Sequence, residues 1–207
     1  VTPDICPAVP ASLEKAETTG APAGAMVLPD GRIIEPFYIK RDPDFAVVVA
    51  VTKDGRLVLV RQYRHGVEKV LLELPAGAIE KGEDPKGAAG RELLEETGYQ
   101  AGHLEFLMKT APNAANSTAY AYCYLATDAE WVAAQHLDAM EDVAVEFMDV
   151  KDARRTLQEG AFEQAVHVAA LYAALDILEG REINRNPYNS GTSAVDEHVG
   201  EASGAAD

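Results

Sequence analysis

Basic residues are scarce in this chain: Lys and Arg total 18 against 34 Asp and Glu, a formal net charge of −16 over 207 residues. A surface of that sign repels the phosphates of duplex nucleic acid and the anionic face of a membrane, so neither is expected as a partner. A small anionic substrate is not excluded, because a local Arg or bound cation outweighs the distant field within a Debye length of about 10 Å. Cysteine is nearly absent. Cys6 and Cys123 stand far apart without metal-ligand spacing, which argues against a disulfide framework and fits a reducing cytoplasm. Long apolar runs are missing as well, and the N-terminus lacks the basic-then-apolar layout of a secretory signal. No internal repeat is visible.

What is present reads as one unit between two irregular ends. Residues 1–24 hold Pro3, Pro7, Pro10 and Pro22 among Ala, Thr and Gly, the composition of a mobile leader. From Asn186 to the end the apolar period is lost, as expected for a disordered acidic tail. Residues 25–185 are long enough for one well-buried core. They divide into a hairpin over 25–44, around the turn Pro29-Asp30-Gly31, and a core over 45–185. Phe45 to Val51 is apolar throughout, the pattern of a central strand covered on both faces. Strands are expected over Arg56–Tyr63, Val70–Leu74, His103–Lys109, Thr118–Ala126 and Ala144–Val150, and helices over Asp152–Glu159 and Glu163–Glu179. In Thr118–Ala126, Tyr120, Tyr122 and Tyr124 alternate with small residues and read as packing rather than as platforms for a base. His167 reads as a satisfied structural histidine and His65 as a loop residue. The result is an α/β fold, a mixed sheet with helices on both faces, plus the N-terminal hairpin.

The stretch from Gly77 to Tyr99 carries the chemistry. Asp84 is a natural N-cap, Pro85 suits the first helical position and Gly98 a helix end, so a helix of about three and a half turns is expected. On it, Glu92 and Glu96 lie about 40° apart and Glu95 about 60° to the other side of Glu92. Like charges at that spacing repel by a few tenths of a kcal/mol per pair unless a cation sits among them. Upstream, Arg61-Gln62-Tyr63-Arg64-His65-Gly66 places two guanidiniums at a strand end. Arg suits bidentate phosphate contact; the alternative is an ion pair with Glu68 or Glu73.

The pattern G-x5-E-x7-R-E-U-x-E-E-x-G-U, with U apolar, is met at Gly77, Glu83, Arg91, Glu92, Leu93, Glu95, Glu96, Gly98 and, loosely, Tyr99. In this the chain resembles the Nudix hydrolases. The run R-Q-Y-R-H-G followed by E-L-P-A-G-A-I-E-K-G-E and E-E-T-G-Y is similar to the ADP-ribose pyrophosphatase branch, over about residues 26–178.

The resemblance implies an α/β/α sandwich. It implies that the Ala76 carbonyl, Glu92 and Glu96 hold Mg²⁺, with Mn²⁺ as the alternative, and that Glu95 is a further ligand or acts through bound water. Arg91 would pair with Glu83 to brace the loop against the helix, and Arg64 would face the substrate pyrophosphate, with Arg61, Glu73 and the Pro112 loop also at the substrate. In this chain the Pro-Gly pair common in that loop reads Pro112-Asn113. The base is expected from the acidic loop between two strands: Glu141 first, then Asp142, then Glu146. The resemblance also implies a homodimer built through the hairpin, with Phe37 or Tyr38 stacking on adenine in the partner's site. The implied reaction is cleavage of a nucleoside diphosphate sugar, ADP-ribose to AMP and ribose 5-phosphate. The alternatives are another nucleotide sugar, such as ADP-glucose or GDP-mannose, or a non-catalytic ADP-ribose sensor.

Overall fold

Two core layers meet at one strand. In the computed structural model, which describes residues 23–138 and 141–181, β3 (Phe45–Thr52) has almost every side chain buried. Its alternate residues point to opposite faces. Val47, Val49 and Val51 enter one apolar cluster with Leu57, Leu59, Cys123 and Leu125, covered by α2 (Val150–Gln158) and α3 (Ala165–Leu178). Ala46, Val48 and Ala50 enter the other with Tyr122 and Tyr124, covered by α1 (Pro85–Thr97). An unbroken run of β-branched and small residues is therefore what a strand needs when both faces are dry. The expected α/β/α sandwich is observed.

Around β3 the sheet is mixed. β4 (Arg56–Arg64) pairs antiparallel to it only at Val51↔Leu57 and Ala50↔Val58, then leaves it to pair with β5 (Lys69–Glu73) on that edge. The space so opened is entered by Pro75, whose carbonyl accepts the Val48 N–H, and by β6 (Ala76–Ala78), which pairs with residues 45–47 of β3. On its other edge β3 runs parallel to β9 (Ala121–Trp131), which also pairs antiparallel with β7 (Tyr99–Gln100) and β8 (His103–Thr110). β10 (Val143–Asp149) closes the outer edge of β4. β6 and β7 are too short for a period to announce them. β9 begins three residues later than expected and runs five further, past Asp128 at φ 54°, because pairing rather than apolar alternation carries Thr127 to Trp131.

α1 forms where its caps dictate. Asp84 accepts the N–H groups of Lys86 and Gly87, Pro85 opens the helix, and Gly98 ends it at φ 76°. Small Ala88 and Ala89 with fully buried Leu93 let it lie close on the sheet. α3 buries Val166, His167, Ala170, Leu171, Ala174 and Leu175, a stripe at helical spacing. Leu178, at the helix end, is 36% exposed.

β1 (Ala23–Val27) and β2 (Ile33–Tyr38) form the expected hairpin as a separate two-stranded sheet that leaves Val27, Ile33, Ile34 and Tyr38 exposed. Nearly all of the leader (residues 1–22 of 1–24) and the whole 186–207 tail lie outside the described residues. No described helix is long and apolar enough to cross a membrane.

Candidate active site

The opening between β3 and β4 brings the backbone of residues 75–78 over α1. Glu96, 4% exposed, accepts the Ala76 N–H at 2.9 Å. Gly77 lies against Glu92 so closely that a Cβ there would stand 2.1 Å from the Glu92 carboxyl carbon. That contact is why the spacing begins with glycine. Arg91 organises the rest. Its Nε and Nη2 each bond Glu83 at 2.9 Å, its Nη2 also bonds the Ala78 carbonyl at 2.9 Å, and its Nη1 reaches Glu92 at 2.8 Å and Glu95 at 2.9 Å. The brace between loop and helix expected of Arg91 and Glu83 is thus in place. Glu83 is held below its usual range first by Arg91 and also by the Glu80 N–H.

The carboxylates are not equally content. Burial pushes Glu96 up to about 8 and the charges of Glu92 and Glu141 add to the rise, against the Ala76 N–H and Arg64. Glu92 is raised too, by burial first and then by Glu95 and Glu141, although Arg91 pulls the other way. Glu141 therefore sits within electrostatic reach of both. Of the other candidates for the base, Glu146 is engaged by Arg61 in an ion pair between β10 and β4.

A helix leaves its last carbonyls without intrahelical donors, and here the loop before Glu141 supplies them. Val132 and Ala133 donate to the Gly98 carbonyl, the His136 N–H to Glu95 and the Gln135 side chain to Glu96 at 2.6 Å. Gln135 also bonds the Val143 carbonyl at 3.0 Å. Gly98 is required twice, for its positive φ and because a Cβ would stand 2.0 Å from the Ala133 carbonyl. The loop that carries Glu141 is in this way tied to the helix that carries Glu92 and Glu96. Gln135 has no signature in the sequence; its contacts span 39 and 8 positions.

Facing the acids is Arg64 at the end of β4. Its Nε and Nη2 bond Glu73 at 2.9 and 2.6 Å, and its charge is felt by Glu96. The ion-pair reading of Arg64 is met, with Glu73, whose side chain is 1% exposed, while Arg64 also lines a cleft of about 750 Å³. Ala76, Gly77, Ala78 and Pro112 line the same cleft. Arg61 does not; alternation along β4 puts it on the opposite face from Arg64, where it is held by Glu146 of the paired strand β10. Phe37, half-buried on the hairpin, does not line its own chain's cleft either. Tyr122 and Tyr124 are core residues, as expected, while Tyr120 is 44% exposed beneath the Lys109 ammonium.

Among the described residues, no three His, Cys, Asp or Glu side chains enclose a metal position as they stand. Arg91 engages Glu92 and Glu95, and Glu96 turns to Ala76. The donor chemistry nevertheless fits a hard divalent cation: the candidates are oxygens only, and two of the carboxylates are raised by burial and by their acidic neighbours.

The arrangement can be set beside known proteins. The sequence profile of the NUDIX domain matches residues 40–171. An ADP-ribose pyrophosphatase of Bacillus subtilis (strain 168) is 32% identical over 158 residues, 75% of this chain and 73% of that protein. A methanol dehydrogenase activator of Bacillus methanolicus is 42% identical over 97 residues, 46% of this chain and 52% of that protein, so the match spans about half of its length. The crystal structure of an ADP compounds hydrolase superposes with a TM-score of 0.70 at 24% identity, over 82% of this chain and 97% of that one, a likeness of fold. Nudix hydrolases generally use divalent metal ions, in keeping with the acidic helix. With the domain profile spanning well over half of its length, the chain belongs to the Nudix family of hydrolases.

Proposed function

We propose that this chain hydrolyses the pyrophosphate bond of a nucleoside diphosphate sugar, with ADP-ribose going to AMP and ribose 5-phosphate, in a Mg²⁺-dependent reaction that Mn²⁺ also supports. The observation that carries the reading is the buried Glu96, raised to about 8 beside Glu92 and Glu141, with Arg64 in reach on the other side. Carboxylates so arranged want a dication, and the guanidinium of Arg64, in the cleft that begins at Ala76 beside Glu96, wants an anion. The relatives named as ADP-ribose pyrophosphatases, at 31–32% identity over about three quarters of this chain, support the substrate class.

The Ala76 carbonyl, Glu92 and Glu96 would hold the ion, with Glu95 as a further donor. When bound, a divalent cation neutralises phosphate charge and lowers the pKa of water. Glu141 takes the proton of the attacking water, acting as general base. Arg64 neutralises charge on the phosphate that is not attacked. Arg91 and Glu83 keep loop and helix in register, and Pro112 forms part of the cleft wall. The cleft, at about 750 Å³, is of the size usual for small-molecule sites, roughly 300–1,000 Å³.

The catalytic unit occupies residues 25–185, works as a homodimer through the β1–β2 hairpin and belongs in a reducing cytoplasm. A lone two-stranded sheet is marginal, and this one exposes Val27, Ile33, Ile34 and Tyr38. Cys123 is buried and its thiol is pushed up to about 12, which leaves it inert. Incubation with a panel of nucleotide sugars and Mg²⁺, followed by phosphatase treatment and phosphate assay, tests the activity. ADP-ribose should be turned over fastest. Turnover of ADP-glucose or GDP-mannose instead would move the substrate, and binding of ADP-ribose without any turnover would make the chain a sensor. A monomeric mass at micromolar concentration would remove the dimer.

A further inference from the structure

The first residues of α3 do something a helix start does not ordinarily do. Gln164 occupies the N-cap position at φ −80° and ψ 117°, yet its side chain makes no capping bond. Ser, Thr, Asp or Asn there would satisfy an open N–H and be worth about 1 kcal/mol. Instead its Nε2 donates to Glu73 Oε1 at 2.8 Å, across 91 positions of chain. Glu73 is fully buried and binds Arg64 through both oxygens, at 2.9 and 2.6 Å. One turn along α3, His167 Nδ1 accepts the Leu74 N–H at 3.1 Å, which fixes the backbone beside Glu73 to the same helix. Arg64 is thus gripped along its Nε and Nη2 edge. Its remaining donors are left for whatever enters the cleft that Arg64 and Gln164 both line.

A two-point grip converts a long, rotamer-rich side chain into a pre-oriented donor, so less entropy is lost when an anion binds. We propose that Gln164, acting through Glu73, is a positioning residue for Arg64, and that the start of α3 gives up its own cap to aim this guanidinium at an anionic group of the substrate. The proposal rests on the reading of Arg64 given above and extends it to a helix far from Gly77–Tyr99 in sequence.

The test is a double-mutant cycle on the full chain. Gln164→Ala and Gln164→Ser are each made alone and with Arg64→Ala, and KM and kcat for ADP-ribose are measured with Mg²⁺. ADP-ribose affinity is also measured by calorimetry in EDTA. Gln164→Ala should raise KM about 10-fold with a smaller change in kcat, the size expected when a bond to a charged group loses its alignment. Gln164→Ser should do the same while holding or raising Tm, because serine restores the cap; a residue of purely structural value would not separate the two. In the Arg64→Ala background neither change should matter further. Equal losses with and without Arg64, or no loss in either, would overturn the proposal. If Arg64→Ala itself leaves KM and affinity unaltered, both the proposal and the role given to Arg64 fall. If no nucleotide sugar is turned over yet the calorimetric cycle shows the coupling, the positioning stands and the hydrolytic reading falls.

Discussion

Two buried carboxylates, Glu73 just before the Leu74-Pro75 connection and Glu96 bound to the Ala76 N–H just after it, have opposite fates. Burial pushes both upward. For Glu73 the rise is more than offset by Arg64 and Gln164, and its carboxyl ends below the usual range. For Glu96 the Ala76 N–H is the nearest help, Glu92 and Glu141 make matters worse, and it ends near 8. One is a finished ion pair and the other half of one. A protein retains an unfinished charge where something from outside completes it. The comparison therefore separates a neutralised acid from one without a counter-charge of its own by what surrounds it, since both are Glu and both are inside.

Substitution should split them. Glu96→Gln should lower turnover by about 10³-fold or more, because a ligand of the charge-stabilising cation is lost. The same change should stabilise the metal-free protein at pH 8 by about 1–3 kcal/mol, since the neutral amide removes an uncompensated buried charge. Glu73→Ala should do the reverse to the fold, costing about 3–5 kcal/mol by stranding Arg64 and Gln164. Urea midpoints of the two variants in EDTA check this, and a destabilised Glu96→Gln would break the contrast.

The pH dependence has a definite sign. Glu96 has a folded value near 8 against 4.5 for the ordinary group. A raised folded value means that its contribution is fully present below pH 4.5 and is lost as pH rises through 8. Below about pH 6.5 this loss is offset by His167, which burial keeps neutral down to about 4 in the fold, so metal-free protein should weaken between about pH 6.5 and 8, and Mg²⁺ should flatten that slope. Equal slopes with and without Mg²⁺ would show that no cation completes Glu96. Glu141→Gln comes next in size. It should lower kcat about 10²-fold with little change in KM and also ease the metal-free slope, because Glu141 contributes to the rise at Glu96. If Asp142→Asn lowers kcat instead, the base is Asp142.

Much of this was legible before any coordinates, for a local reason. Glu92, Glu95 and Glu96 lie on one helix, so spacing alone groups them, while the pairing of Arg91 with Glu83 was implied by the resemblance to a family pattern, and Gly77 in that pattern is explained by its contact with Glu92. The two-faced character of β3 and the caps of α1 are likewise written in consecutive residues. Contacts that no short window contains were not legible. Arg61 and Arg64 look alike in the sequence, yet alternation along β4 gives one to Glu146 and the other to Glu73 and the cleft. Gln164 and Gln135 are unremarkable polar residues until the chain folds and brings their amides against Glu73 and the Glu96 carbonyl.

Gln135 offers the finest adjustment of the comparison, because it touches Glu96 through the backbone and leaves the carboxylate alone. Gln135→Ala removes donors from the carbonyls of Glu96 and Val143. A bond to a carbonyl near water is worth about 1 kcal/mol net, so the stability loss should be of that order, well below that of Glu73→Ala. The loop bearing Glu141 keeps its other ties, from Val132, Ala133 and His136 to the end of α1. If Glu141 acts only when held near Glu96, slackening one tie should cost a few-fold in kcat while KM and the metal requirement stay put. A drop as deep as that of Glu141→Gln would mean that the loop has no other effective anchor. An unaltered kcat would mean that the three backbone ties suffice to place the base, and that the amide serves the helix end alone.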